Sequence, residues 1–491
     1  MALLKSIKGV VIMKESANME SRNIRKPYLW EALLSFGVLI GILAVSIIVF
    51  DVSIHLPMIL GVAFSAIMAL RMGYKYKDLE RGMFKGVLMA MQAILILIVV
   101  GSLIGVWILA GVVPTMIYYG LAILNPQFFL ITALLICSIT SLSTGTSWGT
   151  AGTVGVAFMG IAAGLGIPLP VAAGAVISGA YFGDKISPLS DTTNLAAAIA
   201  GTDVITHIKW MIRQTAVAFI LAIVFFLIMG FVHGTNVDTE GAEYLRQGLA
   251  ANFNINPALF LPPVAVIVAI AFKVPALPGI FIGVILGVIM GLIFQSGTDF
   301  GMYMQAGYSG FSADTGIQQL DTLLTRGGMQ RMFYSISLTI IAMCFGGIME
   351  MSRQLEAVVE KMMQLFVRGR TSLATTAVAS TVLSNAAMPE QYISIILPNR
   401  MFSKAYKDRG FHPKMLASAV DGTGTLTSAL IPWNTCGIFM FSILGVSALQ
   451  YAPYAIFNWS VPFIVIILTA MGKLTCKIED DPNTVLTIEE F

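Results

Sequence analysis

The chain has 491 residues, of which 57% are hydrophobic and 11% are charged, and its mean hydropathy is +0.84. Soluble domains carry about a quarter charged residues, whereas residues 86–183 and 422–472 here contain no Asp, Glu, Lys or Arg at all. Because about 20 apolar residues cross a bilayer, each of these tracts must cross it more than once. The formal net charge of +3 and the absence of a basic patch interleaved with aromatic residues argue against nucleic-acid binding.

The apolar segments predict an all-α polytopic membrane protein with about 11–13 transmembrane segments. The predicted spans, in chain order, are 29–50, 54–72, 86–112, 115–143, 148–166, 168–183, 192–201 joined to 204–233, 257–294 as a pair, 332–351, 371–388, 390–401, 412–430, 431–449 and 453–472. Several are too short to cross alone. No cleavable signal peptide is expected, because the uncharged stretch 32–50 is long enough for a first anchored span.

The distribution of Lys and Arg predicts the orientation of the spans. Basic residues gather in the N-terminal segment and again at 71–85 and 400–414. Basic connections face the cytoplasm, so we expect a multi-pass protein of the cell membrane with a cytoplasmic N-terminus. The segment 234–256 has three acidic residues and one arginine, and it is expected to face outward.

The chain divides into five predicted regions. They are a cytoplasmic N-terminal segment (1–28), a first transmembrane half (29–294), a polar connection (295–331), a second transmembrane half (332–472) and a C-terminal tail (473–491). Each half has a segment rich in Ser, Thr and Asn, then an acidic residue, then a polar break containing proline. Transporters often consist of inverted repeats with broken helices near the midplane. We predict that arrangement, although so weak a similarity also arises by chance.

A cluster of hydroxyl groups is the first feature that apolar spans do not need. Six of the ten residues 141–150 are Ser or Thr, and glycines follow at 145, 149, 152 and 155. The glycines predict a smooth stripe for close helix packing. The hydroxyls either satisfy carbonyl groups one turn back or contribute to an ion site. For an ion site the candidates are Ser143, Thr144 and Thr146.

The segment 183–194, Gly-Asp-Lys-Ile-Ser-Pro-Leu-Ser-Asp-Thr-Thr-Asn, contains two acidic residues at membrane depth. An ionised carboxylate there costs a few kcal/mol, so Asp184 and Asp191 must be paired, hydrated, protonated or bound to a cation. Pro188 is expected to break the helix between them, and the carbonyl groups freed by the break suit a hard cation such as sodium. Thr192, Thr193 and Asn194 are further candidate ligands. The alternative is a surface loop in which Asp184 pairs with Lys185, but adjacent residues on a helix do not face one another.

The second half has comparable polar residues. Glu390 follows a proline, and Asp421 begins the run Asp-Gly-Thr-Gly-Thr. Pro432 predicts another helix break, directly before Asn434 and Thr435. Asp184, Asp191 and Asp421 are therefore the predicted sodium ligands, with Glu390, Asn434 and Thr435 as further binding residues.

One charged pair is predicted to be structural. Glu350 and Arg353 are three residues apart in a predicted helix. Side chains at this spacing are neighbours on a helix surface, so an ion pair at the membrane boundary is expected.

The segments 141–155, 183–194, 424–437 and 451–458 resemble signature segments of the NhaC-type sodium/proton antiporter family, within the ion-transporter superfamily. The resemblance extends over most of the chain from the first span to residue 472. It implies a multi-span carrier that exchanges Na⁺ for H⁺ by alternating access, with the buried carboxylates as the exchanging groups. Some relatives couple ion flow to organic acids, as in malate/lactate exchange, or to amino acids. In such a carrier Lys185 would bind the substrate carboxylate. Its other possible partner is a neighbouring carboxylate, Asp184 across the break or Asp421 of the second half, and the lack of a nearby arginine favours this structural partner.

Other classes of function fit less well. A membrane enzyme needs a nucleophile with its base or a zinc-type His-Glu-x-x-His sequence, and neither is evident, so no enzymatic activity is expected. A channel is a third alternative, which two dissimilar halves argue against. The four cysteines show no paired or metal-binding spacing, and no cofactor is expected. The expected partners are the lipid bilayer, Na⁺, H⁺ and, in the alternative reading, a small organic acid or amino acid; a homodimer is one alternative for the assembly.

Overall fold

The computed structural model describes residues 24–50, 52–234 and 239–481. Most of the basic N-terminal segment and the last ten residues of the predicted C-terminal tail lie outside the described residues. The same holds for residues 235–238 of the segment that is predicted to face outward.

The described residues are helical, with no named strand among them. The α-helices are α1 (Leu29–Ile48), α2 (His55–Arg71), α3 (Tyr76–Met89), α4 (Met91–Leu109), α5 (Val112–Ile123), α6 (Phe129–Thr144), α7 (Ser147–Thr150), α8 (Val156–Gly164), α9 (Leu169–Ile186), α10 (Asp191–Ala200), α11 (Val204–Gly234), α12 (Thr239–Asn252), α13 (Leu261–Ala271), α14 (Ala276–Phe294), α15 (Phe300–Ser309), α16 (Gln318–Leu324), α17 (Met329–Met351), α18 (Gln354–Phe366), α19 (Arg370–Ala387), α20 (Gln391–Lys407), α21 (Pro413–Ser428), α22 (Thr435–Leu444), α23 (Ala448–Tyr451) and α24 (Ile456–Ala470). A π-helical turn, Ala151–Gly155, joins α7 to α8.

The all-α polytopic architecture is confirmed. In the described part of the chain, six helices are long and apolar enough to cross a membrane, and a seventh crossing is formed if a pair bent by 98° counts as one. Four shorter apolar helices accompany them, namely α2, α5, α22 and α24. The predicted total of 11–13 crossings therefore stays a prediction.

Two predicted spans are each divided into two helices. The span 86–112 contains the end of α3 and the whole of α4, and the span 115–143 contains most of α5 and nearly all of α6. In the second case Pro126 is the cause, because the side chain of Asn125 caps the short 3-10 turn that begins there. The turn at Asn125 and Pro126 thus divides into two helices a segment that contains no charged residue.

The described residues form two compact units. The first comprises the described part of residues 1–89 together with residues 340–365. Its small core includes Met68, Met72, Leu79 and Ile348. Within it, a Cβ at Gly86 would lie 2.2 Å from the carbonyl oxygen of Met343, so the absence of a side chain there permits close helix packing.

The predicted ion pair between Glu350 and Arg353 is wrong. Glu350 instead accepts a 2.8 Å bond from Lys85 in the same unit. The helix ends at Met351, and Arg353 has a left-handed backbone with φ of 55°. The two residues therefore do not share a helix surface. Arg353 lies 3.8 Å from Glu356 of the next helix instead.

The second unit, the described part of residues 90–339 and 366–491, has one large apolar core and contains all the candidate site residues. Helices α6 and α9 pack closely within it, because Gly179 and Gly183 bring the two backbones together. A Cβ at Gly179 would lie 2.3 Å from the Leu134 oxygen, and a Cβ at Gly183 would lie 2.2 Å from the Ser138 oxygen. This packing fixes the end of α9, where the acidic segment begins.

Two parts of this unit have the same succession of broken helices. The first is α6, α7 to α8, then α9 and α10; the second is α19 and α20, then α21 and α22. Each consists of two pairs of helices interrupted by a few residues. The predicted division at 295–331, the inverted relation of the two halves and the depth of the breaks in the membrane stay predictions.

Candidate functional site

The first break lies where the proline predicts it. Helix α9 ends at Ile186, Ser187 is extended with φ of −85° and ψ of 129°, and α10 begins at Asp191. Ser190 is the N-cap of α10 and accepts a bond from the Thr193 amide. Asp184 and Lys185 therefore occupy the last turn of α9, and Asp191 begins the next helix.

The second break, between α21 and α22, contains Pro432 as predicted. Asn434 caps α22 by accepting a 3.1 Å bond from the Cys436 amide. Its amide group also donates to the backbone oxygen of Asn385 at 3.1 Å, and the Thr435 amide donates to the Pro389 oxygen at 2.9 Å. Asn434 and Thr435 therefore join this break to the break between α19 and α20.

The Lys185 ammonium is fully buried and has four oxygen neighbours. Its Nζ lies 2.5 Å from Asp421 Oδ1 and 2.9 Å from Thr425 Oγ1. It also donates to Thr192 and Thr193, at 2.8 and 3.4 Å. An ammonium group has three donors, so its charge and its hydrogen bonds are satisfied by the protein. The sequence left two kinds of partner open for Lys185, a neighbouring carboxylate and the carboxylate of a substrate. In the structure its partner is the neighbouring carboxylate of Asp421.

His207 completes the environment of Asp421. Its Nε2 lies 3.1 Å from Asp421 Oδ2, and both side chains are fully buried. Thr425 donates a further 2.9 Å bond to Asp421 Oδ1. His207 was not predicted, because it is an isolated histidine in the first turn of α11, 214 residues from its partner. Its position directly after a helix break is the only local signal.

Asp184 lies in a different environment, although it precedes Lys185 in the chain. Its side chain is 4% exposed, and Oδ2 accepts one 3.0 Å bond from Ser147 Oγ. Oδ1 has no hydrogen-bond partner of good geometry among the described residues, and no described cationic side chain forms an ion pair with this carboxylate, although the Ser190 hydroxyl and the Lys185 charge act on it from a greater distance. The expectation that Asp184 and Lys185 do not face one another is confirmed. Asp184 is thus a buried carboxylate that the protein does not neutralise.

Polar atoms without partners continue along the same helix. The hydroxyl groups of Ser178 and Tyr181, six and three residues before Asp184, are buried without a hydrogen-bond partner of good geometry in the described structure, and Tyr181 has only the weakly bonding Cys436 thiol beside it. The indole nitrogen of Trp148, next to Ser147, has none either. Residues three apart lie on one face of a helix, so α9 presents a polar face that ends at Asp184. Buried polar groups normally have partners, and those of this face are available to an ion or to water.

Asp191 and Glu390 both accept hydrogen bonds at the start of α20, away from Lys185 and Asp184. The Tyr392 hydroxyl donates to Asp191, whose side chain is exposed, and thereby links α10 to α20. Glu390 is buried and caps α20, accepting bonds from the Tyr392 and Ile393 amides at 2.7 and 3.3 Å. Tyr392 was not predicted, because its partner is 201 residues away.

The remaining hydroxyl and amide candidates have local partners. Ser143 and Thr144 donate to carbonyl groups one turn back, at Ile139 and Thr140. Thr146 is the N-cap of α7, and the side-chain amide of Asn194 donates to the backbone oxygen of Ser190 in the break. The predicted glycine stripe is wrong at Gly145, which ends α6 with φ of 68° instead of lying within a helix.

Residues 145–149 match the letters Gly-x-Ser-x-Gly of a hydrolase nucleophile elbow. In that elbow a strand precedes the serine, whereas here α6 precedes it. Ser147 donates to Asp184, and no histidine bonds to it among the residues that the structure describes. The match therefore does not indicate a hydrolase.

The three predicted sodium ligands lie in three environments. Asp421 is neutralised by Lys185, Asp191 bonds to Tyr392, and Asp184 has only hydroxyl partners. Over the described ranges, no three His, Cys, Asp or Glu side chains are close enough together to hold one metal ion. Sodium binding at these residues stays a prediction.

Broken helices around buried carboxylates, in an all-α membrane protein, define the class of secondary transporters. Comparison with known proteins agrees: the sequence model of the Na⁺/H⁺ antiporter family matches residues 179–473. The chain belongs to this family.

Three relatives are similar over nearly their whole length. The malate-2H⁺/Na⁺-lactate antiporter of Bacillus subtilis is 38% identical over 454 residues, which is 92% of this chain and 96% of that protein. The Na⁺/H⁺ antiporter NhaC of Alkalihalophilus pseudofirmus is 36% identical, over 90% of this chain and 95% of its own. The arginine/ornithine antiporter ArcD of Halobacterium salinarum is 33% identical, over 91% and 93%.

Proposed function

We propose that the chain is a secondary active transporter of the cell membrane that exchanges Na⁺ for H⁺ by alternating access. One observation carries the proposal: Asp184 is 4% exposed and has no cationic partner among the described residues, while the other fully buried aspartate, Asp421, is already paired with Lys185. Asp184 is therefore a buried carboxylate whose charge is still to be balanced; Glu390 is also buried without a cationic partner in the described structure, but two backbone amides stabilise its carboxylate.

The physical argument rests on the cost of a buried charge. An isolated carboxylate in a low-dielectric interior is strongly unfavourable, so it takes up a proton or binds a cation. Both occupants need the same oxygens, and each excludes the other. A site that must hold one of two exclusive cations, opened in turn to each side of the membrane, exchanges them.

The surroundings of Asp184 favour sodium as the second occupant. Sodium is a hard cation that prefers oxygen ligands. Ser147 Oγ is 3.0 Å from the carboxylate, and the hydroxyl groups of Ser178 and Tyr181 lie unpaired on the same helix face. The break after Ile186 supplies carbonyl groups that the helix no longer uses. Asp191 and Glu390, at the ends of neighbouring helices, are proposed to hold these helix ends together.

The Lys185–Asp421–His207 group is proposed to act as a fixed, neutralised junction. It joins α9, α11 and α21 at the level of Asp184. Because Lys185 is occupied, it is not the binding group for a substrate carboxylate in this conformation. Carriage of an organic acid or an amino acid is the second candidate function, and the names of the Bacillus subtilis and Halobacterium salinarum relatives favour it.

The experiment is sodium-driven proton movement in proteoliposomes, followed with a pH-sensitive dye inside the vesicles. Asp184→Asn keeps the size of the side chain and removes its charge, so exchange is expected to be lost. The matched control is Asp299→Asn, because Asp299 is an exposed helix cap and Asn caps equally well. Exchange at the wild-type rate by folded Asp184→Asn protein would overturn the proposal.

A further inference from the structure

A cavity of about 450 Å³, with a mostly apolar lining that includes two arginines, lies at the far end of α22. Its lining includes Arg326 and Arg331 from the start of α17 and the connection before it, and Phe441, Ser442 and Gly445 from the end of α22. Helix α22 begins at Thr435 in the second break and has ten residues. At a rise of about 1.5 Å per residue, its two ends are about 15 Å apart, so this cavity is distinct from the break that contains Asn434.

Arg326 is the unusual member of this lining. Its side chain is partly buried against the end of α22, where a Cβ on Gly445 would lie 3.4 Å from Nη1. No hydrogen bond or ion pair of its guanidinium group with any described residue occurs in the structure. Burial lowers the pKa of Arg326, but an arginine remains charged in proteins. The cavity therefore contains a cation that no carboxylate of the described chain balances.

Arg331 adds a second positive charge at the same cavity. Its guanidinium donates to the backbone oxygen of Thr325, and it has no carboxylate partner in the described part of the chain. The hydroxyl groups of Ser335 and Ser442 are bonded to each other along the lining. Met332, Phe441 and Ile443 supply an apolar wall. Two arginines, neighbouring hydroxyls and an apolar wall suit a small anion with an apolar part.

We propose that this cavity binds a small organic acid through its carboxylate, with the Arg326 guanidinium as the anchor. A guanidinium group binds a carboxylate with two parallel hydrogen bonds, and Arg331 provides charge for a second carboxylate. The volume falls in the range of ordinary small-molecule sites. The binding group for an organic anion is then Arg326, whereas Lys185 is occupied by Asp421. This site is separate from Asp184, so the proposal stands without the sodium/proton exchange.

The test is the thermal stability of the purified full chain in a neutral detergent, with potassium succinate or potassium lactate as probes. A ligand that binds the folded state raises the melting temperature with concentration, and potassium chloride at equal ionic strength is the reference. Succinate is expected to raise the melting temperature of the wild type. Arg326→Gln is expected to weaken the apparent succinate affinity at least about tenfold, through loss of the charge-assisted bond pair.

Three further variants keep the test decisive. Arg331→Gln changes an exposed side chain and is expected to weaken succinate more than lactate. Arg326→Lys keeps the charge and loses the paired bonds, so it is expected to be intermediate. Arg368→Gln, at an exposed arginine outside the cavity, is the control and should respond like the wild type.

The outcomes separate this proposal from others. Absence of a succinate shift in the wild type, or an equal shift in Arg326→Gln, overturns it. An Arg326-dependent shift produced by phosphatidylglycerol added to the detergent micelles, but not by succinate, overturns it in favour of a lipid headgroup. Sodium-driven proton movement measured on Arg326→Gln reports on Asp184 independently, so failure of the exchange function leaves the succinate result unaffected.

Discussion

The Lys185 ammonium lies 2.5 Å from the Asp421 carboxylate, and both side chains are fully buried. Asp184, the residue before Lys185, has no such partner in the described structure. Two adjacent ionisable residues on one helix thus have opposite situations: one charge is balanced by the protein, and the other is not. This difference separates the structural charges of the site from the exchanging one, and several consequences are measurable.

Removing only one member of the Lys185–Asp421 pair is expected to destabilise the protein more than removing both. Lys185→Met strands a buried carboxylate and Asp421→Asn strands a buried ammonium, so each single variant should lose about 3–5 kcal/mol of unfolding free energy. The double variant leaves neither charge and should be more stable than either single one. Chemical denaturation of the four proteins in detergent gives the coupling energy.

The sign of that coupling is the informative quantity. Additive losses in the double variant would show that the two charges do not depend on one another. Lys185→Met with unchanged stability would contradict the assignment of Asp421 as its structural partner, and Lys185 would again be open to a substrate carboxylate.

Asp184→Asn is expected to have the opposite effect on stability. It removes a buried charge that lacks a cationic partner, so the melting temperature without sodium should stay equal or rise. The wild type should gain stability as sodium chloride is added, relative to choline chloride, because sodium binds only the folded site. The variant should show no sodium-specific gain. A sodium-specific gain as large as that of the wild type would place the sodium site elsewhere.

Sodium affinity should depend on pH if protons compete at Asp184. A carboxylate must be deprotonated to bind a metal ion. In the pH range where the site is mostly protonated, each tenfold rise in proton concentration should therefore raise the apparent dissociation constant for sodium about tenfold. The dependence should level off once the site is mostly deprotonated. The measurement is the sodium dependence of exchange in proteoliposomes between pH 6 and 9, with the two sides at equal pH. A constant that is flat over this whole range would indicate separate sites for the two ions.

The breaks of the helices were predictable because their causes are local. Pro188 and Pro432 remove a backbone donor and lie among residues that favour turns and caps, and the structure has both breaks at these prolines. The same reasoning failed for Gly145, which fits a helical stripe by spacing but ends the helix. A glycine at helical spacing serves either purpose, and only the neighbouring chain decides which.

The partners of the site were not predictable from the sequence. His207 and Asp421 are 214 residues apart, and Asp191 and Tyr392 are 201 residues apart. Nothing in the spacing of a single chain encodes such contacts. The sequence indicated which charged residues are unfavourable at membrane depth. The packing of α9 against other helices determines which partner, if any, each of these residues has.

Tyr392→Phe tests the link between α10 and α20. The variant removes only the hydroxyl that donates to Asp191, and a hydrogen bond to a charged group is worth about 1.5–3 kcal/mol at most. Because Asp191 is exposed, water replaces part of the bond, so the loss should lie at the lower end of that range. Exchange should slow without being abolished. Tyr308→Phe, at an exposed tyrosine of α15, is the comparison. Complete loss of exchange in folded Tyr392→Phe would give the tyrosine a direct role in ion binding.

Gly183→Ala is expected to damage both stability and exchange. The new Cβ would lie 2.2 Å from the Ser138 oxygen and 2.5 Å from the Leu142 nitrogen, and both atoms belong to the backbone of α6. A backbone yields less readily than a side chain, so α9 must shift, at a cost of about 1–3 kcal/mol or more. The shift displaces Asp184, the next residue, from Ser147.

The matched control for this change is Gly37→Ala in α1. No heavy atom lies within 4 Å of a Cβ at that position, and alanine is a better helix former than glycine by up to about 1 kcal/mol. Gly37→Ala should therefore be neutral or slightly stabilising, with normal exchange. Thermal unfolding and proteoliposome flux measured on both variants make the comparison. Equal melting temperatures would contradict the close packing of α6 against α9 that positions Asp184.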